Sequence, residues 1–514
     1  MGTAMPVRLA VLLAVAALAS VAGQAPRLRS GQGAPEWTPE IPRVWDEAAL
    51  AEWATPVAGL NVRPAHVTAA EYYALPEENL RTYPVYLPGR EPAGYAEMIR
   101  TTGPKPLIEP GTLKTRQDWI RAGEAVFRDS VVLRTFDPKL IAMARDARAL
   151  NVVPLPDGTV NTLRWVPTKQ GVALGFANCS ACHTLYLPPD NSPVAGASSF
   201  ASTGFRNGLG GQIRAAERTL AGEAPFTMGG SIGAWLYQAY GAPWTGDPDG
   251  ERLKTMTDGD LQQYVTANFR GGAVARWNGS ILYPAKVPDL IGIRDRKYID
   301  HTGTHLHRGI GDLMRYAALV SFAEATDFGP YRMLAPESKR FQTRLPDASL
   351  YAMALYLYSL EPPHNPNPLD ERAAAGEKIF QRESCVSCHT PPLFTNNKLT
   401  LARGFVAPKD PPASLDVLPV SVGTDPGLAM RTRKGTGYYK VPSLKGVWYR
   451  GHYLHDGAAA SLEELFDPDR LKETHMPGGW RPPGAQTRAI PGHEFGLRLS
   501  PMEREQLIGY LRTL

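Results

Sequence analysis

The sequence predicts a mainly α-helical protein in which two related units follow one another along the chain. Two pentapeptides, Cys179–His183 and Cys385–His389, share the pattern Cys-x-x-Cys-His. The segments that follow them resemble each other at a constant offset, which indicates an internal duplication. A proline-rich stretch at 361–370 separates the copies and is typical of a stiff linker, because proline cannot continue a helix.

Each pentapeptide has the pattern of a covalent haem attachment site. Two thiols three residues apart lie on one helical turn, so they can reach the two vinyl groups of a single porphyrin. The adjoining histidine then turns its imidazole onto the iron. The pattern predicts a haem c at each pentapeptide, and hence two cytochrome c-like haem domains with long loops.

Zinc sites and disulfides explain the cysteines less well. The two pentapeptides use all four cysteines of the 514-residue chain, and Cys385 lies 203 positions after Cys182. A zinc site usually brings its cysteine pairs within a few tens of residues. We therefore expect two covalently bound haem c groups. Their predicted attachment residues are Cys179, Cys182, Cys385 and Cys388, and their predicted iron ligands are His183 and His389.

The internal repeat sets the domain boundaries. Val441 lies 154 positions after Val287, and seven of the seventeen positions that start there are identical, where average residue usage gives about one by chance. The same offset aligns 345–360 with 499–514, and Ser500, Pro501 and Glu503 predict a capped start for the last helix. The expected domains are a first haem domain at 115–360, a linker at 361–370 and a second haem domain at 371–514.

The first haem domain is predicted to be enlarged. Residues 123–127 match 376–380, the predicted helix before a haem motif. Gly376 lies 9 residues before Cys385, whereas Gly123 lies 56 residues before Cys179, so the first domain has 47 additional residues in this segment. We expect them to build extra walls around the first haem.

The N-terminus predicts export. Arg8 precedes an apolar run over 9–21, and small residues follow it, which is typical of a cleaved secretory signal over 1–23. The run is too short for a stable membrane span. The mature protein is expected in the periplasm of a bacterium or secreted, with a Pro-rich N-terminal arm at 24–114.

Composition and charge exclude one class of partner. The net charge is +5, and basic and acidic residues are interspersed along the chain. No cluster of lysine and arginine stands out, so we expect no nucleic-acid partner.

The two irons are predicted to differ on their second axial side. His493 lies in a loop before the last helix and is a candidate sixth ligand of the second haem, with Met476 and His475 as alternatives. The position 154 residues before His493 is Lys339, which is not a histidine, methionine or cysteine. An open first haem would make the site of His183 the reaction centre.

Several other residues are candidates for the haem environment. Arg296 and its repeat partner Arg450 can bind haem propionates or form ordinary loop ion pairs. His301 repeats as His455 and is expected in the common scaffold. The remaining candidates are His305 and His307 for the first haem pocket, and Trp277 and Tyr283 for a position between the haems or in the core.

The chain resembles the di-haem cytochrome c peroxidase superfamily, and within it the rubber oxygenase-like branch. The resemblance covers about residues 115–514. It is carried by these motifs: KVPSLKGV at 440–447, YLHDG at 453–457, LEE at 462–464, HTGTH at 301–305, CHTPP at 388–392, GTGYYK at 435–440 and GHEFG at 492–496.

The resemblance implies His183 and His389 as proximal ligands and His493 as distal ligand of the second haem. It also implies an open first haem that acts on dioxygen or peroxide, with electrons relayed by the second haem. A small electron-donor protein or periplasmic redox partner would supply these electrons, and an organic compound is a further possible substrate.

Three functions remain open from the residues alone, and one of them is a structural or binding protein without haem, which a haem stain on a denaturing gel would reveal. The other two contain haem. The first is an oxidoreductase with an open haem. The second is a pure electron-transfer cytochrome, which needs a hidden sixth ligand such as His305, His307 or Met228.

Overall fold

A computed structural model describes residues 37–131, 133–145, 155–176, 178–190, 192–198, 237, 241–257, 260, 282–321, 326–331, 343–482 and 485–514. The chain from Glu40 to Leu514 forms one compact unit, and the structural description concerns this unit. The predicted signal over 1–23, Lys339, Met228 and Trp277 lie outside the described residues.

The described residues are rich in helices and also contain small sheets. The helices are α1 Glu47–Ala51, α2 Ala69–Ala74, α3 Tyr95–Thr101, α4 Arg116–Asp129, α5 Pro138–Ala144, α6 Cys179–Cys182, α7 Pro248–Arg252, α8 Ile310–Ser321, α9 Asp347–Tyr358, α10 Glu371–Arg382, α11 Gly427–Met430, α12 Leu462–Leu465 and α13 Pro501–Arg512. The strands are β1 Ala65–His66, β2 Tyr83–Tyr86, β3 Leu133–Thr135, β4 Thr159–Thr168, β5 Gly171–Phe176, β6 Thr184–Leu187, β7 Ser192–Ala195, β8 Tyr298–Ile299, β9 His305–Leu306, β10 Thr326–Asp327, β11 Leu399–Leu401, β12 Val417–Ser421 and β13 Tyr438–Lys440.

One helix crossing occurs in both units. A Cβ atom built on Gly123 of α4 would lie 1.9 Å from the carbonyl oxygen of Ala352 in α9. A Cβ atom built on Gly376 of α10 would lie 2.0 Å from the carbonyl oxygen of Gln506 in α13. Only glycine allows the two backbones to approach this closely. Ala352 and Gln506 are themselves 154 positions apart, so the sequence repeat corresponds to a repeated packing geometry.

An aromatic pair next to each glycine repeats as well. The ring centres of Phe127 and Tyr356 are 5.5 Å apart in the first unit. Those of Phe380 and Tyr510 are 5.4 Å apart in the second. Residues 349–357 of α9 are all buried, as expected for a helix that is apolar on every side.

The two units contact each other through a reciprocal pair of backbone hydrogen bonds. The N–H of Lys440 donates to the carbonyl of His301 over 2.9 Å, and the N–H of Lys286 donates to the carbonyl of His455 over 2.7 Å. Lys286 and Lys440 occupy equivalent repeat positions, as do His301 and His455. Equivalent groups that exchange bonds in this way are the mark of a two-fold interface, here approximate and within one chain.

The enlargement of the first unit contributes to a four-stranded sheet of order β2-β4-β5-β3. Strands β4 and β5 form an antiparallel hairpin, and β3 pairs with β5. Strand β2 comes from the N-terminal segment and pairs with β4. The described residues are helix-rich, as the sequence predicts, but the insertion of the first unit is largely a sheet in its described part.

The N-terminal segment covers the first unit. The indole N–H of Trp53 donates to the carbonyl of Leu306 over 3.2 Å, and the hydroxyl of Thr55 donates to the carbonyl of Gly303 over 2.6 Å. Trp53 is completely buried. Trp53 and Thr55 are thus packed against the loop that carries the His301–His307 motif.

The last helix begins as the sequence predicts. The Ser500 hydroxyl accepts the N–H of Glu503, and the Glu503 carboxylate accepts the N–H of Ser500, with Pro501 in the first turn. Within the described part of the chain, no helix combines the length and apolar character needed to cross a membrane.

Candidate haem sites

The second pentapeptide follows directly on α10. Cys385–Ser387 form a single 3₁₀ turn, and the N–H of His389 donates to the carbonyl of Cys385 over 2.8 Å. Cys385 and Cys388 are both half-buried and form no disulfide. The turn places the two sulfurs and the imidazole on a short, fixed piece of backbone, as attachment to one porphyrin requires.

His389 is oriented by backbone carbonyls. Its Nδ1 lies 3.2 Å from the carbonyl oxygen of Phe394 and 3.1 Å from that of Pro442. Since a carbonyl oxygen only accepts, Nδ1 carries the proton and Nε2 keeps its lone pair. Burial lowers the pKa of His389, which favours the neutral ring. This is the tautomer that a metal ligand needs.

His493 faces His389. The two ring centres are 6.4 Å apart, with an interplanar angle of 60°. An imidazole nitrogen binds a metal at about 2 Å, and each ring centre lies about 1 Å behind its nitrogen, so one metal ion between two rings separates their centres by about 6 Å. Burial lowers the pKa of His493 to about 4, so this ring is also neutral. The pair has the spacing of two axial ligands of one iron.

Arg470 holds the loop that carries His493, and sequence reasoning did not identify it. Its side chain is completely buried. Its guanidinium donates to four carbonyls, those of Leu465, Ile490, Gly492 and His493. The only sequence signal is a difference between the repeats, because the position 154 residues earlier is Tyr316.

The alternative ligands lie in other surroundings. The side chain of Met476 is 67% exposed. Nε2 of His475 lies 2.9 Å from the Glu464 carboxylate, which also accepts the N–H of Gly478. The geometry favours His493, and the identity of the ligand stays a prediction.

The first pentapeptide forms α6. The Asn178 side chain caps it by accepting the N–H of Ala181 over 2.7 Å, and the N–H of His183 donates to the carbonyl of Cys179 over 3.0 Å. The Sγ atom of Cys179 lies 4.0 Å from Sδ of Met353 in α9. Burial raises the pKa of the Cys179 thiol to about 11. The first candidate haem site therefore lies against the helix that crosses α4.

A short chain of backbone bonds connects His183 to the repeated loop. The N–H of Gly196 donates to the carbonyl of His183, and the N–H of Leu290 donates to the carbonyl of Gly196, both over 2.7 Å. The loop at 287–293 is thereby fixed next to the first pentapeptide, as Pro442 in the equivalent loop is fixed next to His389.

The three histidines of the 301–307 motif do not share a site. Nε2 of His301 lies 2.6 Å from the carbonyl oxygen of Lys286. His307 uses both ring nitrogens, at 2.8 Å from the Arg296 carbonyl and 2.7 Å from the Tyr358 hydroxyl. His305 packs on Trp53 with ring centres 4.1 Å apart. No group of three or more metal-ligating side chains occurs in the part of the chain that the structure describes.

Arg296 and Arg450 brace their own loops. Arg296 donates to the carbonyls of Asp289 and Ile291, and Arg450 donates to the carbonyl of Ser443. The Asp289 carboxylate lies between the two guanidinium groups, 3.6 Å from Arg296 and 3.4 Å from Arg450. Sequence reasoning missed Asp289, whose repeat partner is Ser443. The propionate role of both arginines stays a prediction.

Tyr283 lies in a separate polar network. Its hydroxyl donates to the Asp247 carboxylate, which is 3.3 Å from the Arg431 guanidinium. Asp247 and Arg431, the hydrogen-bond partners of the Tyr283 hydroxyl, both lie outside the pentapeptides.

Comparison with known proteins gives partial structural similarities. No protein-family model matches the chain, and no curated protein matches it. Hydrazine synthase of Kuenenia stuttgartiensis is 16% identical with a TM-score of 0.26, and the match covers 45% of this chain and 72% of that one. A MauG-like protein associated with microbial copper homeostasis is 19% identical with a TM-score of 0.21, over 33% and 56%. The di-haem peroxidase BthA of Burkholderia thailandensis is 19% identical with a TM-score of 0.26, over 48% and 73%. These scores are too low to support a functional argument, so the residues of the two haem units carry it.

Proposed function

We propose that the protein is an exported di-haem c-type oxidoreductase in which the first haem is the reaction centre and the second relays electrons. The observation that carries the proposal is the facing pair His389 and His493, whose ring centres are 6.4 Å apart beside a Cys-x-x-Cys-His motif. That spacing supports two axial ligands on the second iron, which leaves no open position there for a substrate.

The residues of the second unit would act as a rigid holder. Cys385 and Cys388 would anchor the porphyrin covalently, and His389 would present Nε2 while its Nδ1–H donates to backbone carbonyls. Arg470 fixes the backbone of the opposite ligand loop. A bound haem supplies one-electron chemistry, and two fixed nitrogen ligands limit the movement that accompanies electron transfer.

The first unit would provide the reactive position. Cys179 and Cys182 would attach the porphyrin, and His183 would occupy one axial side. The repeat places Lys339 where the second unit has His493. Tyr316 replaces the buried Arg470, and its hydroxyl donates to Asp300 over 2.7 Å. The first unit therefore lacks both the candidate sixth ligand, His493, and the arginine that fixes its loop, Arg470.

The expected substrates are peroxide, dioxygen or an organic compound, and the expected partner is a small electron-donor protein in the periplasm. The predicted signal over 1–23 supports export. Export also fits the proposed cofactor, because c-type haem is attached outside the bacterial inner membrane.

Low-temperature EPR of the oxidised, purified protein tests the proposal. One high-spin and one low-spin ferric signal are expected, and cyanide should convert the high-spin signal. Two low-spin signals that do not respond to cyanide would replace the proposal with a pure electron carrier. A negative haem stain on a denaturing gel would reject both.

A further inference from the structure

Lys286 is a buried lysine at the start of the repeated loop. Only 8% of the residue is exposed. Its backbone N–H donates to the carbonyl of His455, but its ammonium group has no hydrogen bond or ion pair within the described residues. The equivalent Lys440 differs, because its ammonium lies 3.5 Å from the carbonyl oxygen of Tyr298.

The surroundings of Lys286 carry excess positive charge. Asp289 is the carboxylate next to it, and Arg296 and Arg450 already lie on either side of that carboxylate. The side chains of Arg296, Arg450 and Asp289 are 13%, 12% and 4% exposed, so all four groups are shielded from water. Three basic side chains therefore share one buried carboxylate.

Such a cluster is unfavourable unless an anion completes it. A buried charge costs several kcal/mol unless a counter-ion or hydrogen bonds compensate it. Burial, with Arg450 as the second cause, lowers the pKa of Lys286 to about 7, and burial lowers that of Arg296 to about 10. Burial is the first cause of both shifts, so both cations are held away from water.

The lysine side chain extends from the first unit toward the haem-bearing core of the second. Its Nζ lies 5.9 Å from the ring centre of Tyr453. Tyr453 packs against the core that also contacts Cys385 and Val386 of the second pentapeptide. Its hydroxyl donates to the carbonyl of Val447 over 3.0 Å. An anion beside Lys286 would therefore lie at the boundary of the two units, on the side of the second haem.

We propose that Lys286 of the first unit binds a propionate carboxylate of the second haem, together with Arg450. The inference rests on the proposed function, since it requires the second haem. The propionates of a haem carry negative charge that can compensate these basic side chains. The same chemistry fits a free carboxylate from solution, so the test has to distinguish these two sources.

The test compares Lys286→Met with Lys286→Arg, and with Lys445→Met at an exposed lysine of the same region as control. Spectroelectrochemical titration follows the low-spin and high-spin bands separately. A cation beside a propionate favours the reduced haem, so Lys286→Met should lower the midpoint potential of the low-spin haem. Lys286→Arg should restore most of the shift, and Lys445→Met should leave both potentials unchanged.

Each other outcome has a distinct meaning. Unchanged potentials in a Lys286→Met protein that retains two haems would overturn the propionate assignment and leave the proposed function intact. A wild-type potential that depends on added acetate, with the dependence lost in Lys286→Met, would show a free carboxylate at the site instead. A purified wild-type protein that carries no covalent haem would contradict the proposed function itself. Methionine is an apolar residue of similar length, so the substitution removes a buried charge without opening a cavity.

Discussion

Arg470 is a buried cation whose hydrogen bonds to backbone carbonyls fix the position of His493. The cost of burying a guanidinium is on the order of several kcal/mol unless polar groups surround it. Three of its four carbonyl partners belong to the loop at 490–493. His493 itself has a φ of 48°, a backbone conformation that residues other than glycine rarely adopt. The bonds that compensate the charge therefore also hold an unfavourable backbone that points the imidazole at His389.

Replacing His493 by alanine should remove the sixth ligand of the second haem. The expected result is conversion of a low-spin ferric signal to high spin, with both haems still attached because the thioether bonds do not involve this residue. EPR and intact-mass spectrometry measure the two effects. His475→Ala is the matched control and should leave the spectrum unchanged, since His475 pairs with Glu464. A spectrum that changes in His475→Ala and not in His493→Ala would transfer the ligand role to the neighbouring loop.

The sequence identifies residues whose chemistry is local and misses those whose role depends on distant backbone. His389 follows from its pentapeptide, and His493 follows from the need for a second ligand among few candidates. Arg470 and Asp289 are ordinary charged residues in the sequence. Their roles depend on which carbonyls and guanidinium groups the fold brings beside them, and no spacing rule gives that.

At the scale of elements, the crossing of α10 and α13 depends on Gly376. In Gly376→Ala the new methyl group would meet the Gln506 carbonyl oxygen at 2.0 Å, so the helices must separate. Alanine gains up to about 1 kcal/mol of helix propensity over glycine, whereas overpacking of a close contact costs about 1–3 kcal/mol. We expect a net loss in the free energy of unfolding, measured by urea denaturation.

Gly509 of α13 provides the control for this crossing. A Cβ atom there would lie 3.5 Å from the nearest atom of Arg372, which is an ordinary contact. Gly509→Ala should therefore stabilise the protein by up to about 1 kcal/mol. Equal effects of the two substitutions would mean that the close crossing does not limit the packing of the helices.

The N-terminus of α13 predicts a pH dependence. Hydrogen bonds from Ser500, with further support from Arg382, lower the pKa of Glu503 to about 2. A carboxylate whose pKa is lower in the folded state contributes stability above its unfolded pKa and loses it as the pH falls toward the folded value. Glu503→Gln should therefore reduce stability at pH 7, and the difference from wild type should shrink as the pH falls from about 4.5 to about 2.

Urea denaturation at pH 7 and at pH 3 measures this effect. Glu505→Gln is the control in the same helix, because Glu505 is 69% exposed and lies 3.5 Å from Arg372 without a capping role. A Glu503→Gln difference of the same size at both pH values would show that the carboxylate charge does not support the helix end.

The elements that the sequence predicts best are those with local signals. The start of α13 and the helices α4 and α10 follow from caps, prolines and the repeat. The sheet β2-β4-β5-β3 does not, because β2 and β4 come from segments more than 70 positions apart. Strand formation depends on the partner strand and on burial, which a single sequence does not reveal.

At the scale of the whole molecule, the duplicated unit explains both the symmetry and the difference between the two sites. The reciprocal bonds Lys440 to His301 and Lys286 to His455 place equivalent loops on each other. The N-terminal segment contacts both units, because Trp53 packs on His305 of the first unit and the N–H of Ala58 donates to the carbonyl of Gly435 of the second over 2.8 Å. The repeat predicts the core that the two units share. It does not predict how the N-terminal segment packs, because this segment matches neither copy. The enlargement lies in the unit that we propose as reaction centre.

The proposed roles of the two haems predict different results when either pair of cysteines is replaced. Cys179→Ala with Cys182→Ala should remove the first haem, abolish turnover and leave one low-spin haem attached. Cys385→Ala with Cys388→Ala should retain a cyanide-sensitive high-spin haem and lose turnover only when electrons come from a donor protein. Intact-mass spectrometry counts the haems, and peroxide or dioxygen consumption measures turnover. Turnover that persists after loss of the first haem would make the second unit the reaction centre, because no other redox group is predicted in the chain.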